Sequence, residues 1–285
     1  MAVYRRGYAG YDGPLTPEWS RWLIIARYAY QNVFESRLFM TYFVICFIWP
    51  VIAGVLLYLP HNAAIRGLVP PDAFAREIDG LFWLRFLTTQ SVFAFLLVAF
   101  IGPGLVSADL ANGALPLYFC RAFSRTEYVL GKMAVLAILL SAITWVPGLA
   151  LFFFNAALEG WDWTAKYWYI PWGIFAASWL WILLLCLLAL AVSACLRRRI
   201  VAGGLILGVF FVGAGFGAAV NQALNTHIGD AFNIVTVFAR IWSVLLGAPA
   251  RTQLSAEAAC MALAAMYCFC LYLLDRKVRA YEVVK

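Results

Sequence analysis

The sequence predicts an all-α membrane protein. It has six transmembrane helices, a cytoplasmic N-terminal amphipathic helix, and a short re-entrant or interfacial segment between helices 5 and 6. Three observations predict this class. Mean hydropathy is +0.85, and only 12% of the 285 residues are charged, against roughly 25% in soluble domains. Six apolar runs reach the ~20 residues that cross ~30 Å of hydrocarbon. The basic residues are also distributed unevenly between the two sides that these runs define.

The elements follow in order. Before the first span, Thr16 can cap a helix with Pro17 in its first position and Glu18 in its first turn. Trp19, Trp22, Leu23, Ala26, Tyr30, Val33 and Phe34 then recur at helical spacing. A helix bearing Trp and Arg beside a span is expected to lie in the membrane interface. Residues 1–37 are too polar and aromatic to read as a cleavable signal, so the first span is expected to stay in the mature protein. Span 1 is read at Leu38–Leu59, closed by Pro60, and span 2 at Phe86–Val106. Span 3 covers Val129–Phe154, with Pro147-Gly148 as an internal kink. Spans 4, 5 and 6 cover Pro171–Leu196, Ile200–Val220 and Ala256–Leu274. The expected organisation is a cytoplasmic segment over 1–37, a membrane domain over 38–274 and a cytoplasmic tail over 275–285.

The run Phe232–Leu246 is apolar but short, and it carries Arg240. Charge decides its role. With six spans, 15 of the 21 Lys and Arg residues fall on the side of the termini and 6 on the other. A seventh span would move the C-terminal four across and place Arg240 in the membrane. Basic residues accumulate on cytoplasmic loops, so six spans and cytoplasmic ends are preferred. The net charge of +7 then belongs to those loops and their anionic lipid, with the bilayer and not nucleic acid as the partner. Trp161, Trp163, Tyr167, Trp168, Tyr169 and Trp172 form an interfacial aromatic belt on the other side.

Several chemistries lack their residues. There is no GxxxxGK[ST] phosphate loop, GxSxG, HExxH or paired-carboxylate motif, and the two histidines, His61 and His227, have no second metal ligand at suitable spacing. No catalytic or metal residue is therefore assigned. Among the seven cysteines no CxxC pair occurs; six lie in apolar runs and Cys120 in a cationic loop, and the odd number and the absence of cysteine from the outer loops argue against a disulfide framework. The glycines of span 5 include Gly204/Gly208 and Gly213/Gly217. Their GxxxG spacing suits close helix packing in lipid.

The segment between spans 2 and 3 carries the most information. Span 2 is read as ending near Gly102-Pro103-Gly104, with Asp109 following at the membrane edge. Asn112-Gly113 marks a turn. Leu115, Leu117, Tyr118 and Phe119 form a short apolar element ringed by Arg121, Arg125 and Lys132. Ser124 can cap the next helix, with Glu127 at the capping-box offset. The stretch Asp109, Asn112-Gly113-Ala114-Leu115, Leu117-Tyr118, Arg121, Ser124-Arg125 and Tyr128–Lys132 resembles the type-2 ABC exporter permease family, with Ala122 where that family usually has proline.

The resemblance implies a permease subunit of an ATP-driven exporter in the inner membrane of a prokaryote. The loop 107–132 would couple it to a separate cytoplasmic ATPase. Leu115, Leu117, Tyr118 and Phe119 would be the docking face, and Arg121 and Arg125 its charged rim. Asp109 and Lys132 would close the loop at the membrane. Two ATPase copies, carrying ATP and Mg, and a second permease copy or paralogue would complete the assembly, and this chain would be no enzyme itself. The competing expectation is an integral membrane enzyme acting on lipid or lipid-linked substrates, with sparse acids such as Asp72, Glu77 and Asp79 as its resource.

Overall fold

The computed structural model describes residues 20–62, 78–112, 124–196, 198–250 and 252–277. Every regular element among them is helical: α1 (Arg21–Phe34), α2 (Arg37–Ile45), α3 (Ile48–Tyr58), α4 (Gly80–Ala111), α5 (Arg125–Ile143), α6 (Trp145–Glu159), α7 (Trp161–Lys166), α8 (Tyr169–Cys195), α9 (Arg199–Leu224), α10 (Ile234–Leu245) and α11 (Ala256–Lys277). Six continuous or kinked helices are long and apolar enough to cross a membrane: 37–61, 80–107, 126–159, 169–195, 200–224 and 256–277. This is the architecture of a multi-pass membrane protein. Their bounds overlap the six expected runs. The largest difference is span 2, whose helix begins at Gly80, six residues before the expected Phe86. The twelve residues of α10 rise only ~18 Å, short of the ~30 Å core.

Span 4 is the hub. In its most apolar stretch 72% of residues are buried by the rest of the chain, against 22% in spans 1, 5 and 6. The other helices reach it through hydrogen bonds to its backbone. Trp242 Nε1 donates to the Ala177 carbonyl at 3.1 Å, and Tyr267 Oη donates to that of Leu180 at 2.6 Å. Trp181 stacks edge-on against both Phe238 and Trp242.

Proline sets where the spans bend. Its ring removes one donor and crowds the carbonyl four residues back. Span 1 breaks between α2 and α3, where Pro50 leaves the Cys46 carbonyl unbonded; Gln90 Nε2 of α4 donates to that oxygen at 2.9 Å. Span 3 breaks at Thr144, three residues before Pro147. Gly148 follows where α6 meets α8 so closely that a Cβ there would stand 2.9 Å from Ile174 Cγ2. At the ends of spans 1 and 3 farthest from Asp109, His61 Nε2 lies 3.5 Å from Glu159 Oε1.

The expected N-terminal cap at Thr16 and Pro17 lies outside the described residues. α1 occupies Arg21–Phe34 of the same stretch. Its buried face comprises Ala26, with Ala29, Tyr30, Val33 and Phe34 partly covered. It packs chiefly against α5. Leu23, expected on the apolar face, is exposed.

The span 5 glycines divide into two pairs. A Cβ on Gly213 would meet the carbonyl oxygen of Phe232 at 2.8 Å, and one on Gly217 would meet that of Gly229. Around Gly204 and Gly208 no described atom lies within 4 Å of that position. Asn221 ties the close pair down: its side chain donates to Asp230 Oδ1 at 2.8 Å and accepts from the Gly229 amide at 2.7 Å.

Candidate functional site at the junction of spans 2 and 3

The junction is built from the last turns of α4 and the first turns of α5. The sequence reading ended span 2 near Gly102-Pro103-Gly104, but α4 runs through Pro103 to Ala111. Proline inside a helix frees backbone groups that must bond elsewhere when buried. Pro103 lacks the N–H that would bond the Ala99 carbonyl, and the turn that follows it is bonded from outside by Ser193 of α8. The Ser193 hydroxyl donates to the Pro103 carbonyl at 2.9 Å and accepts from the amides of Val106 at 3.2 Å and Ser107 at 2.8 Å. Ser107 Oγ also donates to the Pro103 carbonyl. The side-chain hydroxyl of α8 thus bonds the turn of α4 that follows Pro103. Gly102 makes this approach possible, since a Cβ there would sit 2.7 Å from Ala189 Cβ.

With the helix continued, Asp109 is carried one and a half turns beyond Pro103, to face α5. That helix begins with the expected capping box. Ser124 Oγ accepts from the Glu127 amide at 3.2 Å, and Glu127 Oε2 accepts from the Ser124 amide at 2.6 Å. The box fixes the start of α5. Tyr128 and Lys132, four apart, therefore stand on one face. Both reach the same carboxylate oxygen. Tyr128 Oη donates to Asp109 Oδ2 at 2.7 Å, and Lys132 Nζ lies 2.9 Å from it. The ammonium also sits 5.7 Å from the centroid of the Tyr128 ring.

Burial gives this pair its strength. The Lys132 side chain is 9% exposed and that of Asp109 16%. A surface pair would contribute ~0–1 kcal/mol, whereas removing one member of a buried pair costs ~3–5 kcal/mol because the other charge is stranded. The two stems of the intervening loop are clasped together by a contact that resists opening.

The remaining expected site residues are placed as follows. Asn112 is an exposed turn residue directly after α4, and Ser124 is the exposed cap of α5. Arg125 is the first residue of α5, described for its backbone only. Gly113, Leu115, Leu117, Tyr118, Phe119 and Arg121 lie outside the described residues. Sequence reasoning gave Tyr128 and Ser193 no role here. The i,i+4 spacing of Tyr128 to Lys132 was an available signal. Ser193 had none, since it acts across some 90 residues of chain. Among the described residues, no three His, Cys, Asp or Glu side chains gather as a metal site would require. Compared with known proteins, the chain matches no protein-family model and no curated protein.

Proposed function

We propose that this chain is the membrane-spanning permease subunit of an ATP-driven ABC transporter, working outward across the inner membrane of a prokaryote. One observation carries the proposal: a family-like loop sequence stands on two helical stems clasped by Asp109, Tyr128 and Lys132. Coupling to an ATPase needs this arrangement. A push on the loop must move spans and not merely bend a flexible connection. The clasp passes displacement into α4 and α5 together, and Ser193 passes it from α4 to the central α8.

In this reading both termini and the loop are cytoplasmic, in keeping with the 15-to-6 division of basic residues. Two permease chains face each other above two ATPase subunits, and ATP with Mg is held entirely by those subunits. ATP binding favours one state of the ATPase pair, and that preference biases the two arrangements of the permease pair. α10 enters and leaves the outer leaflet from the same side, with the Asn221–Asp230 clamp holding its return turn.

The test is co-expression of the tagged chain with an ATPase encoded beside it, followed by co-purification from detergent. The wild-type pair should co-elute with ATPase activity sensitive to the permease. Leu117→Asp and Tyr118→Asp should release the ATPase while the permease still elutes as a single species. Permease variants that retain the ATPase fully would remove the loop from its assigned role. A chain that transports without any ATPase would end the proposal.

A further inference from the structure

A cavity of about 700 Å³ lies between α1, α2 and α4, and it ends on the Asp109–Lys132 pair. Its size falls within the ~300–1,000 Å³ of ligand sites. Its walls are apolar along most of its length, with Val33, Phe39 and Ile45 on one side and Leu97, Phe100 and Ile101 on the other. On α4 it extends from Leu97 to Asp109, a rise of ~18 Å, or about half of the hydrocarbon core. The charged groups, Asp109 and Lys132, are together at one end, while Thr41 and Tyr42 are the polar residues further along α2. Two other cavities among the described residues differ in kind. That between α3 and α6 and that between α8, α9 and α11 have no charged residue in their linings.

The end groups have unused capacity of both signs. Lys132 has three N–H donors, of which one faces Asp109 Oδ2. Tyr128 and Lys132 both use Asp109 Oδ2, and no hydrogen bond from a described residue reaches Oδ1. The cavity therefore offers ammonium donors and a carboxylate acceptor side by side, with no net charge between them. Glu35 and Arg37, exposed on either side of Ser36, also sum to zero. Among the described lining residues an anionic headgroup finds no excess of positive charge. A headgroup that itself pairs a phosphate with an N–H-bearing ammonium matches both halves.

We propose that this cavity binds one phosphatidylethanolamine molecule from the surrounding leaflet. An acyl chain lies along the α2–α4 walls, the phosphate accepts from Lys132 Nζ, and the primary ammonium donates to Asp109 Oδ1. This site does not depend on the ATPase reading, because it needs only the membrane-embedded chain. It also makes the lipid a second occupant of the clasp that holds the loop stems.

Phosphatidylcholine discriminates this proposal sharply. It shares the phosphate, the net charge and the acyl chains, but its ammonium carries no N–H. The purified chain in detergent is titrated with dioleoyl-phosphatidylethanolamine, -phosphatidylcholine and -phosphatidylglycerol, and bound lipid is counted by native mass spectrometry. The expected result is one phosphatidylethanolamine per chain, retained about tenfold more tightly than phosphatidylcholine, as one hydrogen bond to a charged group provides. Asp109→Asn should abolish that preference while phosphate-dependent retention of both lipids persists. Gly104→Leu, which fills the cavity wall and leaves the ion pair intact, should weaken retention of both. Thr41→Trp fills the same cavity from α2 and decides the matter if Gly104→Leu disturbs folding. Equal retention of phosphatidylethanolamine and phosphatidylcholine by the wild-type chain overturns the proposal. So does stronger retention of phosphatidylglycerol, or retention unchanged by either filling variant.

Discussion

Replacing Lys132 with methionine keeps the length and apolar stem of the side chain and removes its charge. Asp109 is then left 16% exposed beside a hydrocarbon side chain. Stranding a buried charge costs ~3–5 kcal/mol. Tyr128 Oη still donates to Asp109 Oδ2 at 2.7 Å, and a hydrogen bond to a charged acceptor retains ~1.5–3 kcal/mol. The net loss for Lys132→Met is therefore about 2 kcal/mol. Asp109→Asn alone strands the ammonium beside the Tyr128 ring and costs about 3 kcal/mol. The double variant contains no stranded charge, so it should lose less than the two singles summed, by about 2 kcal/mol. Reversible unfolding in mixed detergent–SDS micelles measures all four species. If the singles and the double add to within ~0.5 kcal/mol, the two residues are not coupled and the clasp argument fails.

Ser193→Ala removes three hydrogen bonds at the Pro103 turn. Measured interhelical hydrogen bonds in membranes average ~0.6 kcal/mol, so the same unfolding assay should show a loss of about 2 kcal/mol. Gly217→Leu would drive a side chain into the Gly229 carbonyl, whereas Gly204→Leu meets no described neighbour within 4 Å. A thermal-stability screen of the detergent-solubilised chain should therefore show a fall of several degrees for the first and almost none for the second.

The legible part of the fold was the part dictated by the bilayer. A hydrocarbon slab demands apolar runs of fixed minimum length, and spans such as 169–195 and 200–224 satisfy that demand within a few residues of sequence. Local chemistry was legible too. Pro147 marked the bend that appears at Thr144, and the Ser124–Glu127 offset marked the start of α5. What could not be read were contacts between residues distant in the chain. Gly102-Pro103-Gly104 has the composition of a helix end. It became helix interior, and a hydroxyl on α8 bonds the turn that follows the proline. Span 2 likewise starts at Gly80 and not Phe86, because Asp79 accepts from the amides of Leu81 and Phe82 and caps the first turn. At the candidate site, Asp109 and Lys132 were visible as charges at a membrane edge. Their convergence with Tyr128 on one oxygen depends on the angle between α4 and α5, which no local pattern encodes.

The proline repairs also bear on how the bundle can move. A helix whose hydrogen bonds are all internal can roll or slide against its neighbours at the cost of side-chain contacts alone. Spans 1 and 2 lack that freedom, because the Cys46 carbonyl is held by Gln90 and the Pro103 turn by Ser193. Each repair works like a dowel between two staves, fixing axial position and rotation together. A slip of one residue, ~1.5 Å along the axis, would pull both dowels and expose bare backbone to lipid. Spans 1, 2 and 4 are thus tied to one another as a unit, and α11 joins it through the Tyr267 bond to the Leu180 carbonyl.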